Sequence, residues 1–581
     1  MKRVVIFNVL LIYLIIFCPT VQSAQDDITF ISGKVTGIGE GALIIGDREM
    51  TLDADGRFEH RFELGKPSYV LFNVNESVLP LFLVPRDSLD IMVDASRFYD
   101  SMRIRGRGWE VNDFLVSQAI ESNKLQDLFR RDYQRIYRMD ERDFMHLVDS
   151  LETAFTERLE VFLGSHMDVH PYFTNSQRAI LTYSAATGLL EYEILHRRLT
   201  GNEDFSPSDQ YYSFLDALDF NAPDLLDIRE YRSFLDAYVA VFAGKLMQDS
   251  AAYEGRDYKE FRAKYDVAVS RFTDPTVRSE MLYSIMRSLY SEYNIKGTED
   301  LLEGFRANCT NEAYLDEIEK MYEADRKIRD KCEVRIFKTV DDVTLDAFIY
   351  RPEGSKPGER RTALAFFHGG GWGLGKPEWG DWQCGHFASL GLVSISFEYR
   401  LMAQHDVTPV ECIADAKSAV RWMRTHAHDL GIDPERIVVS GFSAGGHIGL
   451  CTAMIDKFDE PGEDQSISSA GNAFLLWVTP AKILGDDWFR KILRGKATVE
   501  DCDPSKHIRP GFPPSVFFQG TADDTVPPWS VRQFVEGMVA AGNRCDLHMY
   551  EGQTHLRWGE NADDVLGKME AFLVSIGLLE D

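Results

Sequence analysis

The chain is 581 residues long, enough for several hydrophobic cores, and carries 63 Lys and Arg against 92 Asp and Glu, a formal net charge of −29. That field repels nucleic acid and anionic lipid and disfavours strongly anionic polymers as partners. Eight cysteines are scattered with no C-x-x-C pair, so the spacing excludes a structural zinc or thioredoxin-like redox site and calls for no metal or other cofactor.

In chain order, Lys2-Arg3, the apolar run 4–17 and Pro19-Thr20-Val21-Gln22-Ser23 read as a secretory signal peptide over 1–24. The run is too short for a stable membrane span, which makes the protein exported, periplasmic or secreted. Cys18 follows bulky Phe17, whereas lipidation signals take a small residue there, so a lipoprotein is not expected. The other cysteines (Cys309, Cys332, Cys384, Cys412, Cys451, Cys502 and Cys545) are odd in number, leaving at least one free thiol.

Residues 25–108 alternate short apolar runs with turn signals, as in Val70-Leu71-Phe72-Asn73-Val74 and Leu79-Pro80-Leu81-Phe82-Leu83-Val84, and predict a small β-sandwich. Met50-Thr51-Leu52 and Arg57-Phe58-Glu59-His60 flank Asp53-Ala54-Asp55-Gly56 and read as a hairpin. The same four residues resemble the start of a calcium loop, but no downstream ligands complete it, and a turn is the reading. Residues 109–331 turn helical, with apolar residues recurring at i, i+3 and i+4 (Leu125, Leu128, Phe129, Ile136). Breaks fall at Ser206-Pro207-Ser208, Asn221-Ala222-Pro223-Asp224 and Thr273-Asp274-Pro275, where a Ser, Thr or Asp can cap the next helix. That pattern predicts roughly seven to nine helices. The charged, short junction near Lys331 predicts that this region docks on the C-terminal region.

Residues 332–581 carry the chemistry. Arg436-Ile437-Val438-Val439-Ser440 reads as a strand, Gly441-Phe442-Ser443-Ala444-Gly445 as a G-x-S-x-G turn, and His447-Ile448-Gly449-Leu450 as the start of a helix. Such a turn exposes a serine hydroxyl and aims helix N–H groups at developing negative charge. The buried run Thr362-Ala363-Leu364-Ala365-Phe366-Phe367 ends in His368-Gly369-Gly370-Gly371-Trp372, whose bare backbone can present N–H donors. Asp523 and Asp524 then follow one strand and His555 another, giving the order Ser, Asp, His expected of α/β-hydrolases. Ser443 is the expected nucleophile, His555 its base and an aspartate the orienting group, with Gly370, Gly371 and Ala444 forming the oxyanion hole. His548 lies inside an alternating strand and reads as structural; His368 reads as a brace of the glycine loop. Trp372, Trp379 and Trp382 are either packing for a long loop or an aromatic wall for a sugar ring or aromatic acyl group. The stretch 456–469 is too polar for an apolar lid.

Together these motifs, with Asp415 in Ala414-Asp415-Ala416-Lys417, resemble α/β-hydrolase esterases of the HGGG type, near the hormone-sensitive-lipase-like and acetyl or feruloyl carbohydrate esterase groups. The resemblance implies a mostly parallel, doubly wound sheet and selects Asp523 over Asp524 by the spacing D-x-x-V-P. It implies a small-molecule or oligosaccharide ester as substrate, with Ser-Ala-Gly-Gly-His at 443–447 closer to the carbohydrate-esterase branch. One departure is Leu556-Arg557-Trp558 where the family often has glycine after the histidine. A prolyl-oligopeptidase-type peptidase or a small-substrate amidase shares the nucleophile turn and is the alternative, though the former expects a propeller upstream. Residues 25–108 resemble accessory β-domains of Gram-negative envelope proteins with thioredoxin-like domains, a hint of compartment only.

Overall fold

The computed structural model describes residues 28–39, 41–202, 204–249, 251–483, 487–555 and 561–580. The expected signal peptide, with Cys18, and residues 556–558 lie outside them. The chain divides into two compact units, Met1–Phe242 and Ala243–Asp581, so the division falls within the helix Arg229–Asp249. The helical stretch is therefore shared between the units. The expected junction at 331 is a change of secondary structure inside the second unit, where helix Glu312–Lys331 gives way to a strand at Glu333.

In the first unit, eight strands build two four-stranded sheets. They are β1 (Ile28–Thr36), β2 (Leu43–Ile45), β3 (Arg48–Met50), β4 (Arg57–Glu63), β5 (Ser68–Val74), β6 (Ser77–Leu83), β7 (Ser88–Asp94) and β8 (Arg103–Arg107). The sheet orders are β4-β1-β7-β8 and β3-β2-β5-β6. The expected hairpin across 53–56 is corrected here. Asp53 does close a turn, accepting from the N–H of Asp55 at 2.9 Å and of Arg57 at 2.8 Å. But β3 pairs with β2 and β4 with β1, so the turn joins strands of different sheets. Local turn chemistry forces reversal without choosing the partner. Side chains of both sheets, including Ile31, Val35, Phe72 and Leu81, share one core with Phe114, Leu159 and Phe173 of the helices Trp109–Ile136, Glu141–Ser165 and Pro171–Thr200. Buried Asn112 clips the first of these helices to β6, donating to the Phe82 carbonyl and accepting from its N–H, each at 2.8 Å.

The second unit holds the helices Lys259–Arg271, Pro275–Glu292, Glu299–Asn308 and Glu312–Lys331. Asp274 caps the second of them, accepting from Thr276 and Val277 N–H at 2.9 and 3.0 Å. Eight strands come next: β9 (Glu333–Val340), β10 (Val343–Tyr350), β11 (Arg361–Phe367), β12 (Val393–Phe397), β13 (Ile432–Phe442), β14 (Ala473–Trp477), β15 (Ser515–Gly520) and β16 (Cys545–Tyr550). Their order is β16-β15-β14-β13-β11-β12-β10-β9. Neighbours from β12 to β16 pair in parallel, while β10 runs antiparallel to both β12 and β9. Strand order reverses between β11 and β13, and ligands of such sheets bind at the carboxyl ends flanking that point. The central strands, buried on both faces, explain their unbroken apolar runs. Cys412 and Cys451 are fully buried and pack as small hydrophobes, and all seven cysteines in the described residues are free of disulfides.

The polar stretch 456–469 is tied to the helix Pro409–Thr425 by that helix's basic side chains. Lys417 pairs with Asp459 at 2.9 Å, Arg421 Nε donates to the Ile467 carbonyl at 2.9 Å, and Arg424 to that of Ser468 at 2.7 Å.

Glu378 is 3% exposed, neither carboxyl oxygen has a hydrogen-bond partner, and the nearest cation, Arg329 Nη1, stands 3.7 Å away. Burial, with Asp325 nearby, pushes its carboxyl up to about 8, against the partial relief of Lys376 and Arg329. The folded state thus keeps a proton that the unfolded chain releases above the ordinary glutamate range, and stability falls as pH rises toward 8. Glu378→Gln should match the wild type near pH 5 and exceed it at pH 9 by about 1–3 kcal/mol, the usual cost of an unsatisfied buried polar group. Denaturant titration at the two pH values checks this; an advantage that does not grow with pH contradicts it.

Candidate active site

Ser443 follows the carboxyl end of β13 and precedes the helix Ala444–Met454, with φ 52° and ψ −120°. A non-glycine residue held there is strained, and the surroundings over-determine it. Its N–H donates to the Trp477 carbonyl at 2.9 Å, and its carbonyl accepts from His447 N–H at 3.1 Å. The helix start presses on the end of β11: a Cβ at Gly445 would lie 2.1 Å from the Phe367 carbonyl oxygen and 2.2 Å from that of His368. Only glycine permits that approach. The first helical N–H groups, Ala444 among them, have no acceptor within their own helix.

Across the switch point, Gly370 (φ 113°) and Gly371 (φ 59°) turn sharply after β11. A Cβ at Gly370 would meet the Leu374 carbonyl oxygen at 2.0 Å, while one at Gly371 would face open space. His368 is fully buried, and burial lowers its imidazole to about 4, so it stands neutral. Its Nδ1–H donates to the Gly369 carbonyl at 2.8 Å. Tyr399 stacks on the ring and donates to the His368 carbonyl at 2.9 Å. The chain beyond Tyr399 is fixed in turn: fully buried Asp415 accepts from Arg400 N–H and Nε at 2.9 Å and from Lys338 Nζ at 2.6 Å.

Beyond β15, Asp523 accepts from His555 Nδ1–H and Val526 N–H at 2.8 Å, and from Gln519 Nε2 and Thr525 N–H at 2.9 Å. Burial pushes its carboxyl up, but the hydrogen bonds from His555, Val526 and Gln519 outweigh it and hold the group below the ordinary range. Asp524 points outward and is exposed. The loop bearing His555 lies on Gly520, where a Cβ would come within 2.1 Å of the Thr554 carbonyl oxygen, and Ala522 N–H donates to the Gln553 carbonyl at 2.9 Å. The His555 ring stands 5.3 Å from that of Phe442, the residue before Ser443. His548 instead stacks on Phe518 within the sheet.

The tryptophans are distributed. Trp382, partly buried, packs against a core cluster, 5.2 Å from Trp477. Trp379 stands edge-on to His368 at 6.1 Å. Trp372, with φ 61°, is buried against His447 at 5.2 Å and Phe489 at 5.1 Å, with half-exposed Trp488 at 6.1 Å. Trp488, Phe489, Tyr399 and Gln519 belong to no motif that sequence reasoning could use. Gln519, which follows the apolar run Val516-Phe517-Phe518 of strand β15, was the one signal available.

Residues 347–538 match the BD-FAE family model. This part of the chain is a BD-FAE domain. The match spans β11 to β15 with both turns that flank the switch point, and with them Ser443, the glycine loop and Asp523. A probable isoprenylcysteine alpha-carbonyl methylesterase of Arabidopsis thaliana is 28% identical over 229 residues, covering 36% of this chain and 47% of that one. A carboxylic ester hydrolase of Mycobacterium tuberculosis, LipN, is 31% identical over 177 residues, covering 27% and 44%. The chain thus spans about half the length of the curated relatives it matches. Among solved structures, esterase 2 of Thermogutta terrifontis is 42% identical, with 44% of this chain and 97% of that one covered and a TM-score of 0.42.

The two neighbouring aspartates of the BD-FAE domain differ in what an amide would do. Asp523→Asn should cut turnover on the order of ten-thousand-fold, because the imidazole loses the acceptor that fixes its tautomer. Asp524→Asn should leave turnover within a few-fold. Equal losses in steady-state assays of the two variants would show that the buried pair is not the one that matters.

Proposed function

We propose that the second unit is a serine-dependent carboxylic ester hydrolase. Ser443 Oγ attacks the acyl carbonyl carbon while its proton passes to His555, and the oxygen's negative charge is met by the N–H groups of Gly370, Gly371 and Ala444. Collapse breaks the ester bond, the His555 proton leaves with the alcohol, and water attacks the acyl-serine by the same steps in reverse roles. Asp523 holds the imidazole and stabilises its charged form without taking the proton. The observation that carries this reading is the strained Ser443 elbow at the reversal of strand order, with the Asp523–His555 pair beside it. Similarity to methylesterases and a carboxylic ester hydrolase supports it. For the peptidase alternative, a propeller is expected upstream; helices such as Pro275–Glu292 stand before β9 instead.

The finer reading is an exported enzyme acting on short or aromatic acyl esters borne by glycans. Export rests on the leader-like residues 1–24, and no helix among the described residues is long and apolar enough to cross a membrane. The two sheets of the first unit serve here as an accessory β-sandwich. Half-exposed Trp488, backed by buried Trp372 at 6.1 Å, offers the flat face for a sugar or aryl ring, whereas Trp382 packs against a core cluster.

Ser443→Ala should lose about a million-fold in turnover of p-nitrophenyl acetate and all fluorophosphonate labelling, with melting nearly unchanged. Labelling that persists in the variant would end the serine reading. Along a p-nitrophenyl ester series, kcat/KM should fall beyond about four carbons instead of gaining the ~0.8 kcal/mol per methylene that an apolar groove supplies. Trp488→Ala should raise KM for feruloylated oligosaccharides more than for p-nitrophenyl acetate. A steady rise through the long-chain esters, with no selective effect of Trp488, identifies a lipid esterase.

A further inference from the structure

The far limb of the glycine loop is held from outside the BD-FAE match, by the helices that precede β9 within the same compact unit. Gly375 N–H donates to the Glu292 carbonyl at 2.8 Å. Lys376 Nζ donates to the Tyr290 carbonyl at 2.6 Å and pairs with Asp325 at 2.5 Å. Tyr293 donates from its hydroxyl to the Gly373 carbonyl at 3.4 Å. Tyr290 and Glu292 close the helix Pro275–Glu292, so their carbonyls are among the last four that lack a partner in the helix. The loop supplies the missing donors, and the Lys376 ammonium sits at the negative end of the helix dipole. Both Lys376 and Asp325 are 6% exposed, so the pair is not diluted by water.

Contact with the glycines is direct. Gly375, at φ 117°, lies so close that a Cβ there would fall 2.2 Å from His368 Nδ1 and 2.5 Å from the Gly369 carbonyl oxygen. A polar cavity of about 40 Å³, lined by His368, Gly375, Tyr258, Asn294, Glu398 and His405, lies beside this limb. On that side the limb is held by hydrogen bonds from the two helices. Displacement of oxyanion donors by a fraction of an ångström weakens bonds that act only in the transition state.

We infer that the Lys376–Asp325 pair and the carboxyl end of helix Pro275–Glu292 form a positioning clamp that sets the oxyanion loop, which makes the helices 275–331 part of the catalytic apparatus. The inference rests on the proposed esterase reading. Its test is the double variant Lys376→Met/Asp325→Leu in the full chain, because exchanging a buried ion pair for apolar residues of similar volume is commonly neutral for stability. The readouts are kcat and KM for p-nitrophenyl acetate, melting temperature, and the inhibition constant of a short alkyl trifluoromethyl ketone, which forms an oxyanion on Ser443. The expected result is a fall in kcat of about 10- to 100-fold, less than loss of a whole oxyanion donor. KM should stay within two-fold, melting within a few degrees, and the inhibition constant should rise by the same factor as kcat/KM falls. Tyr293→Phe removes one hydrogen bond and no charge, and should lower kcat two- to five-fold on the order of one weak donor. It decides the matter should the double variant not fold. Unchanged kcat and inhibitor affinity in a folded variant overturn the clamp while leaving the esterase reading intact. A wild type that neither turns over esters nor labels at Ser443 overturns both.

Discussion

The close approach of the helix after Ser443 to the end of β11 is the constraint on which the rest of the site depends. With Gly445 all but touching the carbonyls of Phe367 and His368, the nucleophile turn and the glycine loop are locked as one unit at the reversal of strand order. The spacing between the nucleophile turn and the start of the glycine loop is then set by backbone contact, with no side-chain rotamer to vary. A methyl group at 445 would need the two strand ends to part, and both halves of the site would part with them. This is why the strain at Ser443 is tolerable: the sheet that holds it is buried on both faces, and relaxation would cost the packing of β11, β13 and β14 together.

Around that rigid centre, buried charge does the work that apolar packing does elsewhere. Asp415 collects Arg400 and Lys338, fixing the segment whose Tyr399 steadies His368. Glu460 accepts from the same two cations, at 2.7 and 2.6 Å, which ties the polar stretch 456–469 into that network. On the other side Lys376 and Asp325 fasten the loop to the helices. Removing one member of such a group strands a charge out of water, while removing the pair often does not, so these contacts specify geometry more than they add stability. The concentration of them around the glycine loop fits a region that must be precise and yet carries little apolar surface of its own.

What could be read in the sequence was local. The G-x-S-x-G and H-G-G-G segments announce themselves because a strand, a turn and a helix start are contiguous there, and Asp523 and His555 because each follows its own strand by a few residues. That the two meet, 32 residues apart, required only the order of strands β15 and β16. Asp53–Gly56 was legible as a turn but not as a link between sheets, because reversal is encoded locally and pairing is not. The packing of Trp382 was not legible, because its partner Trp477 is distant in sequence. Trp488 and Phe489 were not legible because they approach Trp372 from a segment with no motif.

The division of the helices obeys the same logic. A helical pattern reveals an apolar stripe but not the surface that will cover it. The helices from 109 to 200 spend theirs on the first unit, sharing a core with its two sheets, and those from 259 to 331 spend theirs in the second. The second group differs in kind, because it gives up polar as well as apolar groups to its neighbour. Helix Pro275–Glu292 offers carbonyls that most helices satisfy with a C-terminal glycine turn or with water. Here they are satisfied by Gly375 and Lys376, so the end of the helix and the loop complete each other. A spacer would have no need of that arrangement, since any exposed cap would have served it equally well.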